Sequence, residues 1–229
     1  MTEKKYTNPA TIALHAGWRK DETTNSVTVP IHMTSSYQFD DTDHAANLFA
    51  LSELGNIYSR IMNPTNAVFE ERIAELEGGV AALGLASGQG ASAYAIQNLC
   101  SNGDNFVASS HLYGGTYNQF KNPFSDMGIE VRFVDPSDPQ NFLDATDDKT
   151  RAYYGEVLPN PSFEVFPLQE VADLGRPLGI PLIVDNTAAP LICRPFDNGA
   201  AIIIHSATKY IGGHGTSIGG VIVDGGNFD

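Results

Sequence analysis

The chain has 229 residues, 42% of them apolar, which is enough for a sizeable core in one or two domains, and it carries a net charge of −14. An acidic chain without basic clusters argues against nucleic acid as a partner, because neutralising phosphates needs grouped Lys and Arg. Cys100 and Cys193 lie far apart in apolar surroundings, with no disulfide or zinc spacing, the start has no signal-like apolar core, and no run reaches membrane-spanning length, so a cytoplasmic protein away from membranes is expected.

Residues 1–55 lack strong periodicity and read as an N-terminal arm, with Val27–Ile31 as a short extended piece. His44 to Leu54 has the apolar spacing of a short helix with Gly55 as its C-cap. In Tyr58-Ser-Arg60-Ile-Met-Asn-Pro-Thr65, Thr65 is placed to cap a helix carrying Phe69, Ile73 and Leu76, which Gly78-Gly79 ends. Tyr58 and Arg60 precede that helix on an extended stretch and can point the same way. An arginine and a phenol projected together suit a phosphate, although a salt-bridged surface Arg beside a packed Tyr would look the same. Val80 to Ala86 reads as a strand, followed by Ser87-Gly88-Gln89-Gly90 and a small-residue helix to about Cys100. Strand, Gly-rich turn and helix N-terminus make a general anion cradle, or simply a tight packing turn.

Further strands are expected at Phe106–Ser110, Glu130–Val134, Ala152–Leu158, Ile180–Val184 and Ala200–Ile204, with helices at Gln140–Ala145 and Leu168–Leu178. Tyr113 follows the first of these strands, Asn160 the third and Asp185 the fourth. A carboxylate straight after an apolar strand can hold a buried cation. A metal role competes with that reading, but no second ligand stands at suitable spacing, and His205 and His214 read as structural. The last apolar run leads into His205-Ser206-Ala-Thr208-Lys209-Tyr-Ile-Gly212-Gly-His214-Gly215. A lysine at a buried strand end is costly unless neutralised, paired or used chemically. A desolvated one is a nucleophilic amine able to form a Schiff base, while the alternative is a surface lysine before a Gly-rich turn.

The alternation predicts an α/β fold, an open, mostly parallel sheet with flanking helices, whose ligands gather at the C-terminal strand ends. Ser87, Tyr113, Asn160, Asp185, Ser206, Thr208 and Lys209 all fall at such ends or in the loops after them. Packing alone would scatter them over both ends.

Ser206-Ala-Thr208-Lys209 with Gly212-Gly-His-Gly215 resembles the lysine segment of the Cys/Met-metabolism family of pyridoxal-phosphate enzymes, and Thr216-Ser-Ile-Gly-Gly220 most resembles its O-acetylhomoserine sulfhydrylase branch. The likeness runs from about Asn25 to Asp229. It implies the large domain of a fold-type-I PLP-dependent transferase, spanning 56–229 and incomplete, with a C-terminal small domain and the substrate-carboxylate residues lying beyond the chain. It implies pyridoxal 5′-phosphate as cofactor, bound by Tyr58, Arg60, Ser87, Gly88, Gln89, Tyr113, Asn160, Asp185, Ser206, Thr208 and Lys209, with Lys209, Tyr113 and Asp185 catalytic. By the same resemblance Tyr58 and Arg60 act on a neighbouring subunit of a homo-oligomer, a dimer of dimers with its site at the interface. The implied activity is exchange of acetate at Cγ of O-acetylhomoserine for sulfide or a thiol, giving homocysteine or methionine. A methionine γ-lyase, a cystathionine γ-synthase or a catalytically incomplete cofactor-binding fragment are the alternatives.

Overall fold

A computed structural model describes residues 6–228. The chain forms two compact units, one through Arg72 and one from Ile73.

In the first unit, Asn8 caps α1 (Pro9–His15) by accepting the Ala10 N–H, with Pro9 at the first helical position, where a missing N–H costs nothing. Helix α2 (Thr42–Phe49) starts and stops earlier than its apolar spacing suggests. Asp41 caps it by accepting the His44 N–H at 2.8 Å, and Leu51 turns left-handed (φ 56°), so the chain leaves the helix well before Gly55. Helix α3 (Pro64–Glu77) is capped by Asn63, not Thr65, because the Asn63 carboxamide accepts the Thr65 N–H at 2.9 Å. Thr65 instead spends its hydroxyl on the arm, donating to the Pro30 carbonyl and accepting the His32 N–H. Val27–Ile31 joins no strand, and the local pairing is a single antiparallel bridge between Ser36 and Tyr58.

The second unit is a seven-stranded sheet in the order β1-β7-β6-β5-β4-β2-β3. Its strands are β1 (Ala81–Leu85), β2 (Asn105–Ser109), β3 (Glu130–Val134), β4 (Thr150–Glu156), β5 (Leu182–Asp185), β6 (Ile202–His205) and β7 (Gly220–Asp224). Strands β3, β2, β4, β5 and β6 run parallel, and β7 lies antiparallel between β6 and β1. Strand β7 was not foreseen, because three apolar residues after a glycine-rich loop are too short a periodic signal.

Side chains alternate across the parallel strands, yet both faces are apolar, as a sheet covered on both sides requires. Phe106, Tyr154, Ile183 and Ile204 pack with Ala91, Ala95 and Ile96 of α4 (Gly88–Leu99) and with Phe120 and Phe124, on a π turn continuing α5 (Gly114–Gln119). On the other face Val107, Tyr153, Leu182 and Val184 pack with Phe142 of α6 (Gln140–Asp144) and with Val171 and Ala172 of α7 (Leu168–Gly175). Each large side chain here contributes about 1.5–3 kcal/mol by leaving water. Phe120 meets Phe106 and Tyr154 edge to face, with centroids 4.9 and 4.8 Å apart. The two buried phenols are satisfied, Tyr154 by Ser92 at 3.0 Å and Tyr153 by Thr146 at 2.7 Å. Among the described residues no helix is long and apolar enough to cross a membrane.

Gly220, the first residue of β7, lies so close to the turn after β1 that a Cβ would stand 2.0 Å from the Ser87 carbonyl oxygen and 2.8 Å from the Gly88 nitrogen. Both neighbours are backbone and cannot swing aside. Gly220→Ala is therefore expected to cost about 2–3 kcal/mol, as overpacking against fixed atoms does. Urea unfolding would show a lowered midpoint at an unchanged slope, and a wild-type midpoint would mean that β7 shifts freely.

Candidate active site

The first wall of the site is the turn from β1 into α4. Ser87, in extended conformation, caps α4 by accepting the Gly90 N–H at 3.0 Å. The leading N–H groups of Gly88 and Gln89 have no acceptor within the helix, and they mark its positive end. Gly88 is buried against the loop after β6, where a Cβ would lie 2.6 Å from Ser206 Cβ, so two of the sequence-predicted segments touch. Gln89 donates to Thr116 Oγ1 at 3.0 Å, and its carbonyl accepts from Gln119 at 3.1 Å, which ties the same turn to α5.

The second wall is the row of strand ends β4, β5 and β6. Asp185 closes β5 and accepts the Thr187 N–H at 2.8 Å, and the Thr187 hydroxyl accepts the Ser206 N–H at 2.7 Å. The Asp185 side chain keeps some accessible surface, but protein encloses it on most sides. Burial raises its carboxyl above the usual range, against the opposing effect of the Thr187 hydrogen bonds and the nearby His205. Tyr113 precedes α5 with its side chain exposed, and Asn160 is exposed in the loop after β4.

Lys209 lies in the turn after β6, its N–H donating to the Ser206 carbonyl, and its side chain is exposed. The desolvated amine expected from the strand-end position is therefore not found in this chain. The apolar run stops at His205, and the four residues that follow carry Lys209 clear of the core. The Thr208 hydroxyl clamps this loop, donating to the Gly219 carbonyl at 3.2 Å and accepting the Gly219 N–H at 3.1 Å.

Ser87, Gly88, Gln89, Tyr113, Asn160, Asp185, Ser206, Thr208 and Lys209 thus all lie at, or in loops leaving, the strand ends of the second unit. Tyr58 and Arg60 belong to the first unit, both exposed, with the Arg60 guanidinium 5.5 Å from the Tyr58 ring centroid.

Three features of the site escaped the sequence. Glu156, the last residue of β4, is buried and in register with Asp185, and it accepts the backbone N–H groups of Tyr113 (2.8 Å) and Asn160. Burial and the Asp185 charge push its carboxyl up to about 8. Reading the apolar run through to Leu158 concealed it. A strand ending at Glu156 would have flagged a strand-end carboxylate just as Asp185 was flagged. Thr187 links Asp185 to Ser206, a role no spacing announces. His205, expected to be structural, is fully buried with its Nε2 2.6 Å from Glu77 Oε1, and Asn186 donates to the same oxygen at 3.3 Å. That pairing joins residues 128 apart in sequence.

Comparison with known proteins places this arrangement. The family model for Cys/Met metabolism PLP-dependent enzymes matches residues 10–229. The chain is similar to the O-acetyl-L-homoserine sulfhydrylase of Leptospira meyeri, at 54% identity over 96% of this chain and 50% of that protein. It is also similar to the homocysteine/cysteine synthase of Saccharomyces cerevisiae, at 50% identity over 95% of this chain and 50% of that protein. Among solved structures, an O-acetylhomoserine (thiol)-lyase candidate (metY) from Campylobacter jejuni, holding an N′-pyridoxyl-lysine-5′-monophosphate, superposes with a TM-score of 0.94 at 38% identity, covering 97% of this chain and 55% of that one. The chain spans about half the length of the curated relatives it matches. It belongs to the family of Cys/Met metabolism PLP-dependent enzymes.

Proposed function

We propose that the protein is a pyridoxal-phosphate-dependent O-acetylhomoserine sulfhydrylase, exchanging the acetate at Cγ of O-acetylhomoserine for sulfide or a thiol and yielding homocysteine or methionine. The observation that carries this reading is the gathering of a helix N-terminus, a strand-end carboxylate and a lysine at or just beyond one row of strand ends, in a chain about half identical to an O-acetyl-L-homoserine sulfhydrylase and a homocysteine/cysteine synthase.

The donor set fits the cofactor. A phosphate ester needs unpaired donors, and the leading N–H groups of α4 with the Ser206 hydroxyl supply them, while the Thr208 hydroxyl would exchange its bond to the Gly219 carbonyl for the phosphate. A protonated ring nitrogen needs a negative partner, which Asp185 provides. The Thr187 hydrogen bonds favour the charged form of Asp185, while burial and the Asp185 charge raise the neighbouring Glu156 carboxyl. Tyr113 would lie against the ring, Asn160 would take its hydroxyl, and Lys209 would hold the group through its amine. When bound, pyridoxal phosphate supplies an electron sink for charge developing beside the amino-acid Cα.

The chain's own residues do the rest. With the group and substrate bound, the Lys209 amine would take the Cα proton and return protons to neighbouring carbons, acting as general base and then general acid. Tyr113 assists proton transfer as acetate leaves Cγ. Sulfide or a thiol then adds at the same carbon, so the products are acetate and the new thiol or thioether. Tyr58 and Arg60 share one exposed patch, which supports their reaching the phosphate of a neighbouring subunit in a homo-oligomer, a dimer of dimers. The large domain begins near residue 56, after an arm of about 55 residues whose few regular elements favour packing on a neighbour. The acidic composition and two free cysteines support a cytoplasmic location.

In the protein made from its complete natural reading frame, Lys209→Ala should lose the cofactor adduct that borohydride fixes to the wild type. A variant still fixed at equal stoichiometry would place the cofactor on another residue. Asp185→Asn should keep cofactor but lose on the order of a hundredfold in kcat for homocysteine formation, as losing a buried electrostatic partner does. Near-normal turnover would remove the ring-nitrogen role, and 2-oxobutyrate with ammonia as the wild-type products would identify a lyase instead.

Glu156 also makes a linkage prediction. Its folded pKa is raised, so between about 4.5 and about 8 the native state holds a proton that the unfolded chain has lost. This contribution therefore favours folding at low pH and declines as pH rises through that window. In the cofactor-free protein Glu156→Gln should flatten the fall in stability between pH 5 and 8, measured by urea unfolding. An identical slope in the variant would mean that Glu156 titrates normally.

A further inference from the structure

The loops carrying Tyr113 and Asn160 leave different strands, β2 and β4, and each side chain is exposed, with little packing to hold it. What joins the loops is a single side chain. Glu156 accepts the Tyr113 N–H at 2.8 Å and also the Asn160 N–H, while parallel pairing of β4 with β5 sets it beside Asp185.

A carboxylate is an expensive choice for this place. Glu156 is buried, stands next to a second carboxylate, and among the described residues has no Lys or Arg in ion-pair contact. If the position served packing alone, an apolar residue of the same size would avoid that cost. Its two acceptor bonds go to backbone groups of the two residues that flank the proposed cofactor ring. Backbone donors transmit position more faithfully than side-chain partners would, because the peptide cannot rotate away.

We propose that Glu156 is a positioning residue, which fixes the spacing of Tyr113 and Asn160 about the Asp185 strand end by accepting both backbone N–H groups. This rests on the cofactor reading above. Glu156 itself touches neither substrate nor reacting atoms, and it acts through the two loops it ties together. Glutamine keeps a carbonyl oxygen at the same reach, so the role belongs to an acceptor there rather than to negative charge. Glu156→Gln should therefore preserve it. Glu156→Asp keeps the carboxyl group but is one methylene short, and Glu156→Ala removes the acceptor altogether.

The test uses the protein from its complete natural reading frame, stripped of cofactor and titrated with pyridoxal phosphate. Affinity is read by equilibrium dialysis, and ring orientation by the visible circular dichroism of the bound cofactor. Misplacing both flanking groups should weaken binding on the order of tenfold in Glu156→Asp and Glu156→Ala and diminish the dichroic band, while Glu156→Gln stays within about twofold of wild type. Should the alanine variant not fold, the aspartate variant carries the comparison alone. Aspartate or alanine variants matching wild type in affinity and dichroism would overturn the proposal, and so would a glutamine variant as impaired as alanine. A wild-type protein in which borohydride fixes no cofactor to Lys209 would overturn the cofactor reading and this role with it. Fixation at Lys209 with indifferent Glu156 variants would overturn the positioning role only.

Discussion

Parallel pairing of β4, β5 and β6 brings three ionisable side chains, Glu156, Asp185 and His205, to the ends of neighbouring strands inside the protein. Burying such groups is unfavourable unless each finds a partner, and much of the second unit's detail serves that need. Glu156 takes backbone N–H groups from two loops, Asp185 takes the Thr187 N–H, and His205 takes Glu77 from the end of α3. These bonds pin the loops after β2, β4 and β5 and tie β6 to the end of α3, while Thr187 holds the loop after β6 through the Ser206 N–H. The polar edge is thus both the costliest part of the sheet and the part that holds its shape.

The apolar body of the sheet makes that edge affordable. Helices α4 and α5 cover one face and α6 and α7 the other, so the middles of β2, β4, β5 and β6 are buried, while the edge strand β3 is only partly covered. The strands end together because they run together, and a chain that crosses from strand to helix on each pass returns its loops to the same edge. Close backbone contacts extend this order to the helix cradle. Gly220 admits the Ser87 carbonyl and Gly88 admits Ser206, so the glycine turn before α4 is held close against the loop after β6.

Two surprises follow from the same geometry. Lys209 is exposed, because His205 rather than the lysine occupies the buried strand end. Strand β7 runs antiparallel between β6 and β1, and this brings the loop of residues 206–219 back across the site, where Thr208 and Gly219 clasp each other. A sequence reading weighted toward long apolar runs passed over β7, although its pairing closes the lysine loop.

Local signals in the chain were enough for the α/β alternation, for the strand at Glu130–Val134, for most of the strand at Leu182–Asp185, and for placing Ser87, Asp185 and Lys209 at strand ends or in the loops after them. Burial periodicity, glycine turns and isolated polar residues after apolar runs are properties of neighbouring residues, so they survive in the sequence. The helix caps at Asp41 and Asn63 were misjudged by a few residues, since several hydroxyl and amide side chains competed for each end and only one makes the bond. The partnerships of Glu156 with Tyr113 and of His205 with Glu77 join residues 43 and 128 apart. Strand order and register decide such contacts, and no local pattern of charge or hydropathy encodes which distant backbone N–H or carboxylate will arrive beside a given strand end.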